Sequence, residues 1–125
     1  GMGVEAEVKE NTQEKYVKEA EAGGVTVKVA YLNPGAKVPQ FKITLDTHEG
    51  SLDEYRLGEI TTLKDSSGRE YRGGVIFTTG SGHHIEALLE FKDADMESLK
   101  FAELSIKGLA GVDERVFRFE LGGME

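Results

Sequence analysis

From Val25 onward, apolar side chains recur at every second position in short runs separated by polar, glycine-bearing segments. Val25, Val27, Val29 and Tyr31 share one parity and Thr26, Lys28 and Ala30 the other, the pattern of a strand with one buried side. Phe41, Ile43 and Leu45 alternate with Lys42, Thr44 and Asp46 in a second strand opened by Pro39. A third strand is expected around Leu57 to Lys64, and Ile60 to Lys64 should pair with Arg69 to Arg72 across Asp65-Ser66-Ser67-Gly68. That tetrapeptide reads as a type I turn closed by a left-handed glycine. Asn33-Pro34-Gly35 has the chemistry of a type II turn. Val75-Ile76-Phe77 continues or restarts the fourth strand after Gly73-Gly74, a candidate bulge or bend. Further alternating runs are Ile85 to Phe91, Ala102 to Ile106 and Val116 to Leu121, with an acidic loop and room for one helical turn between Lys92 and Ser98.

Seven or eight short strands at these intervals predict an all-β fold, an antiparallel two-sheet sandwich of immunoglobulin-like type. The domain is expected over 23–125. Residues 1–22 read as an irregular or partly helical extension, because charges alternate there and large apolar side chains are few. Val4, Val8, Thr12, Tyr16 and Ala20 fall at a spacing of four, compatible with one narrow helical stripe. Tyr16 to Ala22 running extended into the first strand is the other reading.

Composition then narrows the functions. The chain of 125 residues carries 15 Lys and Arg against 23 Asp and Glu, a net charge of −8. Such a surface repels phosphate backbones and anionic lipid, so no nucleic-acid partner is expected. No apolar run of bilayer length exists, so no membrane insertion is expected either. Cysteine is absent, which excludes disulfides, thiolate metal sites and a cysteine nucleophile. Residues 1–22 hold no apolar stretch of signal-peptide length. The expected location is the cytoplasm if Met2 is the natural start, and outside the cell or in its envelope if it is not.

The candidate chemistry is carried by three histidines, His48, His83 and His84, all next to strand ends. If successive strands alternate in direction, the loops at 47–56 and 79–84 lie at one end, with that near Gly108 to Glu114. Imidazoles with a carboxylate such as Asp46 or Glu86 suit Zn, Cu or Ni. The metal site read here is His48, His83, His84 and Asp46. Against it, neighbouring side chains on a strand point to opposite faces, so His83 and His84 share an ion only where Ser81 or Gly82 bends the chain. The opposing reading has one imidazole paired with an acid such as Glu86 and no metal at all. The acidic loop Asp46 to Glu54 offers oxygen ligands for Ca²⁺ but matches no EF-hand spacing. Gly80-Ser81-Gly82 lacks the remaining residues of a phosphate-binding fingerprint. Neither Ser51 nor Ser81 sits in a nucleophile-elbow pattern. Tyr55 and Tyr71 flank strands and suit loop anchoring through their hydroxyls.

Asp46-Thr47-His48, Leu52-Asp53-Glu54-Tyr55, Leu63-Lys64-Asp65 with Gly68 and Glu70-Tyr71, Gly82-His83-His84, and Gly111-Val112 with Glu114-Arg115-Val116-Phe117 form a set. Together they resemble a group of uncharacterised bacterial and archaeal domains, often exported or lipid-anchored. The resemblance spans about Gly24 to Leu121 and implies an immunoglobulin-like or cupredoxin-like sandwich in which the three histidines belong to the pattern. It brings no established activity. The functional expectation is therefore a non-enzymatic binding or accessory domain, with a divalent transition metal at the histidine end. The alternative is a protein–protein interaction module in which the histidines are structural. A protein partner is compatible with both, and the oligomeric state is open.

Overall fold

The computed structural model describes residues 15–122. Among the described residues, nine strands form two antiparallel sheets, one more strand than the upper expectation. The first sheet contains β1 (Val17–Ala22), β2 (Val25–Tyr31), β3 (Gln40–Thr47), β6 (Gly74–Ser81) and β7 (His84–Glu90) in the order β1-β2-β3-β7-β6. The second contains β4 (Thr61–Asp65), β5 (Glu70–Arg72), β8 (Phe101–Leu109) and β9 (Val112–Glu120) in the order β5-β4-β8-β9. Of the two readings held for Tyr16 to Ala22, the extended one describes it: Val17 to Ala22 pairs with Ala30 to Val25. Strand pairing thus begins at Val17, within the segment read as an extension. Val4, Val8 and Thr12 lie outside the described residues.

The period-two pattern is the reason the sheets stack. Every second side chain of β2, β3 and β7 turns inward, and so do Leu63, Leu104, Ile106, Phe117 and Phe119 from the opposite sheet, all buried. At one end the core is aromatic, with Tyr31 tilted on Phe41 and Phe119 at their edges. Fully burying each such side chain contributes about 1.5–3 kcal/mol.

Both turns read from the sequence close as written. Ala36 donates to the Asn33 carbonyl, 3.0 Å, and Gly35 is left-handed. Gly68 (φ 93°) donates to the Asp65 carbonyl at 2.9 Å, and the hairpin that follows pairs Thr62, Leu63 and Lys64 with Arg72, Tyr71 and Glu70. The third strand is shorter than its pattern implied. Leu57–Ile60 is a single helical turn, α1. Extending the strand backwards from Leu63 and Thr61 would aim Glu59 into the core; the helical turn buries Leu57 and leaves Glu59 exposed. Residues 92–98 form turns without a helix.

Gly73 carries the chain from the second sheet back to the first. A Cβ there would lie 2.8 and 2.9 Å from the Phe91 ring, so the crossover admits only glycine without displacing the core. The bulge or bend expected at Gly73-Gly74 is this crossover, and the β6–β7 register slips two residues later, between Val75 and Phe77.

Candidate functional site

Residues at the histidine end are held by the strand ladder. Asp46 and His84 face each other across β3 and β7, and His84 Nδ1 and an Asp46 carboxylate oxygen are hydrogen-bonded. Glu86, two residues along the same face, places a carboxylate oxygen 3.7 Å from His84 Nε2. The Asp46 hydrogen bond and charge, helped by Glu86, raise the His84 pKa above its ordinary 6.5. His84 is thus an exposed imidazole clasped between two acids.

Of the other histidines, His83 contributes backbone. The His83 carbonyl accepts from Thr47 N at 2.9 Å, which brings the chain around His48 beside the β6–β7 tip, while both side chains are exposed. Gly82 accepts from Leu52 N at 2.8 Å and donates to Asp53 Oδ1 at 2.8 Å. Acids of the loop from Asp46 to Glu54 therefore act as its fasteners. Among the described residues, no group of three or more histidines and carboxylates stands in a metal-binding arrangement. Asp46 and Glu86 lie against different nitrogens of one ring, so they do not converge on a single point.

Two buried charges escaped the sequence reading. Arg115 lies inward on β9 and donates to the carbonyls of Ala22 (2.9 Å), Leu109 (2.9 Å) and Val25 (3.3 Å). It ties the β1–β2 turn of one sheet to the β8–β9 turn of the other, and burial lowers its pKa. Its parity with Phe117 and Phe119 was the available signal. Asp65, read only as a turn residue, is buried and accepts from Ser67 N, Ser67 Oγ, Arg69 N and the Tyr71 hydroxyl. Burial pushes its carboxyl up, and the hydrogen bonds outweigh that and hold it below the usual value. Tyr71 thus anchors a loop, as does Tyr55, whose hydroxyl accepts from Ala110 N at 3.0 Å.

The second surface is β6. It closes one side of its sheet, and its outer edge has no backbone partner among the described residues. All eight of its residues are exposed, including Val75 (42%), Ile76 (51%) and Phe77 (46%). The register puts Phe77 on the outer face beside Leu88, and Val75 and Thr78 on the inner face with Leu89 and Ala87. Between that inner face and α1 lies an open cleft of about 500 Å³, with Tyr55, Arg56 and Leu57 on one wall and Val75, Thr78 and Ile85 on the other.

No family model and no curated protein matches the chain. Among solved structures, the chain is similar to the 1.5 Å crystal structure of MPT63, a secreted protein from Mycobacterium tuberculosis, with TM-score 0.47 and 14% identity, covering 83% of this chain and 91% of that one. No helix among the described residues is long and apolar enough to cross a membrane.

Proposed function

We propose that this chain is a non-enzymatic interaction domain that takes an extended partner strand onto the open edge of β6. The observation that carries the reading is an eight-residue terminal strand, uncharged throughout, with three large apolar side chains about half exposed. Sheet edges that serve no partner are ordinarily short, charged, bulged or covered, because their unpaired N–H and C=O groups template association; β6 has the bulge between Val75 and Phe77 and none of the other guards among the described residues. Strand addition uses those groups for affinity and the alternating side chains for selection.

Magnitudes set the strength to expect. About six ladder hydrogen bonds at roughly 0.5–1.5 kcal/mol net each give ~3–9 kcal/mol. Association itself costs about 4 kcal/mol or more. The balance, at most about 5 kcal/mol, corresponds to a Kd of roughly 0.2 mM or weaker, suited to a reversible contact. The clasped His84 and the satisfied Asp65 are structural in this reading, since neither offers a free group beside a nucleophile.

The test is a titration of ¹⁵N-labelled protein with short strand-forming peptides, neutral, acidic and basic. Amide shifts running along Gly74–Ser81 and lost in Phe77→Asp are expected. Shifts confined to β1 or β9, or none with any peptide, would refute the proposal.

A further inference from the structure

We infer that the strand covering β6 is the β6 of a second copy of this chain, paired antiparallel about a two-fold axis. This rests on the reading of β6 as a docking edge. The four terminal strands of the two sheets differ in one property. β1 carries Lys18, Glu19 and Glu21; β5 has only three residues, two of them charged; β9 carries Asp113, Glu114, Arg118 and Glu120. Each is guarded against edge-to-edge pairing by charge or brevity. From Gly73 to Ser81 no side chain is charged.

That neutrality matters most for a self-pair. Each copy carries a net charge of −8, so two copies repel wherever their acidic faces meet. In a two-fold antiparallel pair, every register centred on β6 sets neutral residues against neutral residues, and no like charges are opposed. The outer face gains as well: Phe77, with Leu88 behind it, extends across the axis beside its symmetry mate, and the half-exposed Ile76 stands in the bulge next to it. Each copy has one such edge and the other edges are guarded, so the contact is isologous and closes at two copies. One strand pair buries less than a standard interface of about 1,600 Å², so the dimer is weak and concentration-dependent.

The sign of the salt effect separates this occupant from a charged one. Salt screens the repulsion between the two acidic bodies and removes no attractive ion pair from the β6 contact. Self-association therefore tightens with salt, whereas docking of a basic partner strand would loosen.

Sedimentation velocity of the full chain, from about 10 µM to about 1 mM, reads this directly. The expected result is a shift from 13.7 kDa toward twice that mass, strengthened when NaCl is raised from about 0.05 to about 0.5 M. Ile76→Asp should weaken it at least about tenfold. Val116→Asp on β9, a residue equally exposed at 51%, should leave it unchanged and serves as the folding and charge control. A monomer at every concentration, or a dimer broken by Val116→Asp and not by Ile76→Asp, overturns the inference. So does a monomer that dimerises only when residues 1–14 are removed, which assigns the edge to that segment. Where the chain stays monomeric, a synthetic peptide of residues 73–83 separates the two claims. Its binding along β6 keeps the docking edge and discards the second copy, and its failure discards both.

Discussion

Replacing Asp65 by Ala removes the acceptor that organises the β4–β5 hairpin. Its Oδ1 holds Ser67 N (2.9 Å), Ser67 Oγ (2.6 Å) and Arg69 N (3.1 Å), and its Oδ2 holds the Tyr71 hydroxyl at 2.9 Å. Hydrogen bonds to an ionised partner contribute about 1.5–3 kcal/mol each when the donor would otherwise be stranded. Ser67 and Arg69 are exposed, and in the variant their N–H groups turn to water; only the half-buried Tyr71 hydroxyl is left at risk. The sum is therefore well short of four full bonds, at about 2–4 kcal/mol. For a chain of this length that lowers the melting temperature by roughly 8–16 °C. The chain has no Trp, so urea unfolding followed by far-ultraviolet circular dichroism is the assay. The pH dependence is a second readout. Because the folded-state pKa of Asp65 is depressed, its contribution is fully present above the ordinary carboxylate value of 3.8 and is lost as pH falls through the lower folded value. The gap between the native chain and Asp65→Ala should thus be constant near neutrality and narrow below pH 4 or so. A loss under about 0.5 kcal/mol at neutral pH, or a gap that does not narrow in acid, would refute this account.

Three further outcomes are expected. Arg115→Met keeps the buried stem and deletes the guanidinium that joins three carbonyls across the sheets, costing about 2–3 kcal/mol in urea unfolding; a variant as stable as the native chain would show that the clasp contributes no net stability. Carbon-detected titration should find the His84 imidazole above 6.5 and lowered by Asp46→Ala, with any stabilisation from the pair present below 6.5 and fading as pH rises through the raised value. In thermal melts Zn²⁺, Cu²⁺ and Ni²⁺ should leave the transition in place, whereas a rise abolished by His48→Ala and His84→Ala would support the metal reading of that end.

Much of this architecture is legible along the chain, because alternation is a local property. Val25 to Tyr31, Phe41 to Leu45 and Ile85 to Leu89 declare which side chains turn inward without reference to any partner, and Asn33-Pro34-Gly35 and Asp65 to Gly68 declare their turns because φ restrictions are intrinsic to Pro and Gly. Leu57 to Ile60 misled for a physical reason: alternation continues through Glu59, and only the surrounding core decides that a carboxylate cannot enter it. Of the charged residues inside the molecule, Arg115 was marked only by its parity with Phe117 and Phe119. Nothing local marks Asp65 as buried or tells Arg115 that three carbonyls await it, since those partners come from Tyr71, Ala22, Val25 and Leu109, brought there by folding. The histidines divide along the same line. Their places beside strand ends follow from the sequence, but that His84 lies clasped by Asp46 and Glu86 depends on the register of β3 against β7. Strand order has the widest consequence. The run Val75-Ile76-Phe77 reads as an ordinary strand; that it ends its sheet with one edge open is set by which strands pair, a long-range choice made by packing two sheets around one core.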